Sequence, residues 1–203
     1  MIIEINPDNP QPRLIKRVVE VLEGGGVVAY PTDTVYGLGC DIFNKKAIQR
    51  VHQIKRQPDA KPFSFICPDL KELSHYARVT NYAYKTLRRL LPGPYTFVLE
   101  GSREVPKMML TRRKTAGIRV PDHPICQAIT QALGHPLLST SATDHEGRIL
   151  KDAWEIEELL GKQIDLIVDG GPVSGLPSSV VSLVDDIPEV LREGAGPVEE
   201  FRA

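Results

Sequence analysis

The segment Tyr30-Pro31-Thr32-Asp33-Thr34-Val35-Tyr36-Gly37-Leu38-Gly39 follows the apolar run Gly26-Val27-Val28-Ala29. The apolar run predicts a buried strand over 27–30. Its end then delivers hydroxyl and carboxyl groups through Pro-Thr-Asp-Thr, followed by Tyr-Gly-Leu-Gly. Open α/β sheets hold small ligands at such strand ends. The segment therefore points to an α/β fold with a polar ligand site at a sheet edge.

The flanking pattern supports that class. A short strand is expected over 2–5. Pro10 and Pro12 open a helix to about residue 22, with Leu14, Val18, Val21 and Leu22 on one face, and Gly24-Gly25-Gly26 ends it. Asn44, Asp69 and Thr80 read as N-caps of further helices. A helix over 123–133 turns Ile125, Ile129, Ala132 and Leu133 inward. One over 153–160 carries the only tryptophan, Trp154, as a packing residue. Strands are expected over 63–67, 95–99, 116–120, 136–139, 166–168, 180–184 and 190–192. The polar stretch 143–152 lacks periodicity and reads as a mobile loop. Strands and helices alternate without strict βαβ repeats, so we expect an α/β single domain over 1–203, a mixed sheet flanked by helices.

Composition narrows the function. The chain has 203 residues, 41% hydrophobic and 25% charged, with a net charge of -1. This is a globular composition with no overall bias toward nucleic acid or membrane, so any basic site must be local. Three dispersed cysteines, Cys40, Cys67 and Cys126, argue against a disulfide framework. The histidines show no i, i+4 pairing, so no metal site is expected. No apolar run approaches the roughly 20 residues that span a bilayer. The expected location is cytoplasmic.

Several clusters carry candidate chemistry. Lys55-Arg56-Gln57-Pro58-Asp59-Ala60-Lys61-Pro62 places cations at a helix end. They either complement the helix dipole or clamp a phosphate. Leu138-Ser139-Thr140-Ser141-Ala142-Thr143 puts hydroxyls at a strand end, to line a pocket or cap a turn. Arg119, inside the apolar strand Gly117-Ile118-Arg119-Val120-Pro121, needs a partner: an internal carboxylate or a ligand's. Pro177-Ser178-Ser179-Val180-Val181 and Val190-Leu191-Arg192-Glu193-Gly194 join polar groups to strand edges. Neither nucleotide-binding glycine loop, Gly-x-x-x-x-Gly-Lys-Ser/Thr or Gly-x-Gly-x-x-Gly, is present.

Taken in order, these motifs and Leu91-Pro92-Gly93-Pro94-Tyr95-Thr96 resemble the YrdC/YciO family, most of all its short YciO type. The resemblance covers nearly the whole chain. It implies a twisted, open α/β sheet with a concave, positively charged face. It also implies synthesis of L-threonylcarbamoyl-AMP from L-threonine, bicarbonate and ATP, a step in the threonylcarbamoyladenosine modification of tRNA. The family is also described as binding double-stranded RNA. By resemblance, Thr32, Tyr36, Arg119 and Ser178 would surround threonine. Lys55, Arg56, Lys61, Ser139, Ser141, Thr143 and Arg192 would hold the carbamate and the ATP phosphates, with Lys55 and Ser141 closest to the chemistry. Mg2+ would arrive with the nucleotide. The sequence departs from the family pattern on the ATP side: Gln57 replaces an Arg and Thr143 an Asn, while Lys61 and Ser182 stand in place of Asn and Asp. A double-stranded RNA- or tRNA-binding protein with weak or no synthase activity is the alternative.

Overall fold

A computed structural model describes residues 1–56 and 63–202. Ten strands form one mixed sheet. In chain order they are β1 (Ile2–Glu4), β2 (Val28–Tyr30), β3 (Gly37–Asp41), β4 (Ser64–Ile66), β5 (Tyr95–Glu100), β6 (Thr115–Arg119), β7 (Leu137–Ser141), β8 (Leu166–Asp169), β9 (Ser179–Ser182) and β10 (Glu189–Arg192). Their spatial order is β1-β8-β2-β3-β7-β4-β6-β5-β9-β10, so β1 and β10 are the edges. The helices are α1 (Pro12–Glu23), α2 (Lys45–Lys55), α3 (Leu70–Tyr76), α4 (Asn81–Leu90), α5 (Pro124–Leu133) and α6 (Ala153–Leu160).

Strand alternation divides the apolar side chains between two faces. One face is fully covered. Ala29, Leu38, Leu138, Phe65, Ile118, Phe97 and Val181 pack there in one core with Ile48 and Val51 of α2, Leu73 of α3, Leu87 of α4 and Ile156 of α6. The other face is covered only in part. Val28, Tyr30, Leu137, Ile66, Leu166 and Val168 pack under Ile15, Val18 and Leu22 of α1 and Ile125 and Ile129 of α5. Past that patch, the same face of β7, β4, β6, β5 and β9 presents small and polar residues, and it opens into a cleft.

The expected caps hold. Asn44, Asp69 and Thr80 accept the backbone N–H groups of Ala47, Glu72 and Ala83. Gly24-Gly25 ends α1, and Gly25 takes the left-handed conformation at φ 82°. Several expectations need correction. Residues 37–41 form a strand that the sequence reading did not assign, antiparallel to both β2 and β7. Trp154 is 71% exposed and is not a packing residue. It follows buried Ala153 at the start of α6, whose inward stripe is Ala153, Ile156 and Leu160. Ala132 faces out, and Cys126 and Thr130 join Ile125 and Ile129 in the buried face of α5. Residues 143–152 contain a small bridged turn in which Thr143 pairs with Ile149. The Asp144 carboxylate holds it by accepting the Glu146 and Arg148 N–H groups.

Candidate functional site

The cleft has a volume of about 330 Å3, within the usual range for small-ligand sites. Ser64, Thr96, Gly117, Arg119, Ser139, Ser141, Ser178 and Arg192 are among its lining residues. The strand registers explain this polar floor. Ser139 of β7 stands opposite both Gly39 of β3 and Ser64 of β4, and Ser64 stands opposite Gly117 of β6. These residues share one face of the sheet, on which Ser64, Gly117 and Ser139 line the cleft.

Glycines let the floor form. Tyr30 lies fully buried across β3, and its hydroxyl donates to Ser139 Oγ at 2.8 Å. A Cβ on Gly37 would stand 2.8–2.9 Å from the Tyr30 ring, and one on Gly39 2.8 Å from the same ring. The Tyr-Gly-Leu-Gly pattern is thus a strand whose one face is bare so that Tyr30 can cross it. Burial pushes the Tyr30 phenol well above its usual range, so it remains a neutral donor.

Two guanidinium groups converge on the cleft. Arg119 projects from the end of β6 and forms an ion pair with Asp33. Its internal partner is therefore the carboxylate of the Pro-Thr-Asp-Thr turn. Arg192, on edge strand β10, folds back to donate from Nε (3.1 Å) and Nη2 (2.7 Å) to the Ser178 carbonyl. Partial burial, and then the nearby positive charge of Arg119, lower its proton affinity. Ser178 Oγ lies 2.9 Å from Thr96 Oγ1. At the Ser141 end, Lys55 Nζ donates to the Ser141 carbonyl (2.8 Å) and to Thr143 Oγ1 (2.5 Å). Repelling cations held over hydroxyls form a site for an anion, and planar guanidiniums suit carboxylate or phosphate.

The structure therefore gathers Arg119, Ser139, Ser141, Ser178 and Arg192 along one cleft, while Lys55 and Thr143 are not among its lining residues and connect to it through the bond from Lys55 to the Ser141 carbonyl. Thr32 and Tyr36 are not among its lining residues. Thr32 Oγ1 accepts the N–H groups of Thr34 (3.1 Å) and Val35 (3.2 Å) and donates to the Val35 carbonyl (2.6 Å), which shapes the turn. Tyr36 donates to the Gly171 carbonyl at 2.7 Å. Arg56 caps α2 in the left-handed conformation and is exposed. Lys61 and Gln57 lie outside the described residues. Sequence reading missed Asp33, Ser64 and Thr96. Alternation in 64–66 and 95–100 relative to the apolar core would have flagged the last two. No group of three or more metal-ligating side chains occurs among the described residues. No helix among them is long and apolar enough to cross a membrane.

Comparison with known proteins gives the same picture. The family model Sua5_yciO_yrdC, described as "Telomere recombination", matches residues 20–194. Escherichia coli YciO, itself described as uncharacterized, is 47% identical over 199 residues, 97% of each chain. Its crystal structure matches with a TM-score of 0.95 at 46% identity, covering 100% of this chain and 99% of that one. The threonylcarbamoyl-AMP synthase of Vibrio vulnificus is 38% identical over 159 residues, 77% of this chain and 86% of the relative. The structure of P. abyssi Sua5 complexed with L-threonine matches with a TM-score of 0.92 at 29% identity, covering 99% of this chain and 59% of that one. From residue 20 to residue 194, and across its whole fold, the chain belongs to the Sua5/YciO/YrdC family.

Proposed function

We propose that this protein is a threonylcarbamoyl-AMP synthase-type nucleotidyltransferase. It would convert L-threonine, bicarbonate and ATP to L-threonylcarbamoyladenylate and pyrophosphate, for the modification of tRNA. The observation that carries the reading is the convergence of Arg119 and Arg192 on a hydroxyl-lined cleft. Relatives named as synthases and a Sua5 structure holding L-threonine support it.

The chemistry asks for positioning and charge stabilisation more than for acid or base. The threonine amine takes up carbon dioxide or bicarbonate to give a carbamate. A carbamate oxygen then attacks the α-phosphorus of ATP, and pyrophosphate leaves. Arg192, Lys55 and the Ser139 and Ser141 hydroxyls would offset the charge that develops on the phosphates, while Arg119 and Ser178 hold the amino acid. Mg2+ enters as part of the nucleotide substrate.

The test is threonine-dependent pyrophosphate release. Wild-type protein releases pyrophosphate only when threonine, bicarbonate and ATP are all present. Arg192→Ala lowers the rate by roughly 10²–10³-fold, the size seen when one charge-stabilising donor is lost. No threonine-dependent release from the wild type would sink the reading.

One observation favours a second reading, binding to double-stranded RNA or tRNA. Thr111 lines the cleft, and Arg112, Arg113 and Lys114 directly after it are all exposed. Lys55 is bonded to the carbonyl of Ser141, another lining residue. Under this reading, RNA affinity falls steeply with salt, and neutralising Arg112, Arg113 and Lys114 flattens the slope by about one unit for each phosphate no longer neutralised. Binding indifferent to salt would exclude it.

A further inference from the structure

Tyr30 of β2 passes across β3 to reach β7. Its ring lies against the bare face at Gly37 and Gly39, and its hydroxyl donates to Ser139 Oγ at 2.8 Å. The residue is fully buried. Phenylalanine would fill the same space, so the hydroxyl adds nothing to packing. It adds a buried polar group that must find a partner, and Ser139 is that partner. Ser139 itself is half-buried and lines the cleft. The bond therefore joins the core to the ligand space.

The direction of this bond decides what Ser139 can offer. A serine hydroxyl has one proton and two acceptor lone pairs. Burial keeps the Tyr30 phenol protonated, and its proton occupies one lone pair of Ser139 Oγ. The serine proton cannot then lie along the same axis. Among the described residues Ser139 Oγ makes no other hydrogen bond, and the open space beside it is the cleft. Accepting one bond also polarises a hydroxyl and strengthens it as a donor. A serine without this partner would rotate freely and could turn a lone pair toward a ligand. The setting calls for the donor form. Arg119 and Arg192 share the lining, and guanidiniums bring donors only and attract an anion.

We infer that Tyr30 is a positioning residue for the cleft: by donating to Ser139 it fixes the Ser139 hydroxyl as a donor to an anionic oxygen of the bound ligand. Tyr30 is not among the lining residues and acts through Ser139 alone. The inference rests on the synthase reading above for the identity of that oxygen, which belongs to the carbamate or to a phosphate.

Calorimetric titration with inorganic pyrophosphate, the anionic product of the proposed reaction, tests it on the wild type, Tyr30→Phe, Ser139→Ala and the double variant. Tyr30→Phe keeps the ring against β3 and removes only the donor. It weakens pyrophosphate binding by roughly three- to tenfold, the size of one neutral hydrogen bond. Ser139→Ala weakens it at least as much, and the double variant binds no worse than Ser139→Ala alone. A Tyr30 that served the core only would weaken binding by the same factor in both backgrounds. Tyr30→Leu, which also lacks the donor, takes the place of Tyr30→Phe should that variant not fold. Three results overturn the inference: a wild type that binds no pyrophosphate, a folded Tyr30→Phe that binds as tightly as the wild type, or single effects that multiply in the double variant. The expected coupling without threonine-dependent pyrophosphate release would sink the proposed function and leave this inference standing, so the two failures are distinguishable.

Discussion

Arg119→Ala is expected to lower stability by about 3–5 kcal/mol, the range for removing one partner of a buried ion pair. For a domain of this size that is a fall in melting temperature of roughly 6–20 °C. The size follows from what is left behind. Asp33 is 12% exposed, held in place by the Thr32 turn, and bonded to Arg119 through Oδ1, with Oδ2 already unpartnered among the described residues. Without the guanidinium, a carboxylate would stand uncompensated beside the sheet. The cost thus belongs to Asp33 as much as to the lost pair. Asp33→Asn combined with Arg119→Ala should recover most of the lost stability, because an amide needs no countercharge. Neither variant should recover pyrophosphate release, since the donor facing the cleft is gone in both. Thermal melts of the wild type, the two single variants and the double variant close the cycle. A double variant as unstable as Arg119→Ala would show that the cost is lost packing of the arginine stem.

How much of this site was legible in the sequence depends on which physical signal each residue leaves. Asn44, Asp69 and Thr80 were readable because capping is local: the cap and the N–H group it serves are three residues apart. Arg119 was readable as needing a partner because an arginine within an apolar strand has few ways to be satisfied. Which carboxylate met it was not, because the two lie 86 residues apart and the pairing depends on the sheet order. Thr32 carries a role the sequence did not suggest: its hydroxyl bonds the Val35 N–H and carbonyl and so builds the turn that contains Asp33. Trp154 was read as core from residue type alone, although Ala153 and Ile156 already fix the inward stripe of α6. Strand β3 was hidden by its glycines, which ordinarily weaken a strand and mark loops. Only a bulky residue crossing from the next strand makes Gly-Leu-Gly a favourable strand, and that residue, Tyr30, stands opposite Gly37 in the register.

That hidden strand yields the other large effect. Gly39→Ala is expected to destabilise by about 3 kcal/mol, the upper end of the overpacking range, and to abolish ligand binding in the cleft. A Cβ at Gly39 would stand 2.5 Å from the Leu138 carbonyl oxygen, 2.8 Å from the Tyr30 ring and 3.1 Å from Leu137 Cγ. The first of these is backbone of the paired strand β7 and cannot swing aside. Relief requires β3 and β7 to separate, which would carry Ser139 and Ser141 out of the cleft floor. Gly37→Ala differs in kind. Its three nearest approaches are to Tyr30 side-chain atoms. Trimming that ring with Tyr30→Leu should therefore reduce the cost of Gly37→Ala and leave most of the cost of Gly39→Ala in place. Urea unfolding of the two glycine variants, each in the wild-type and Tyr30→Leu backgrounds, measures the coupling directly. Equal rescue at both positions would mean that the Tyr30 ring alone dictates the bare face of β3. Rescue at Gly37 only would establish that the approach of the Leu138 backbone dictates it at Gly39, and hence that the cleft floor depends on the close packing of β3 against β7.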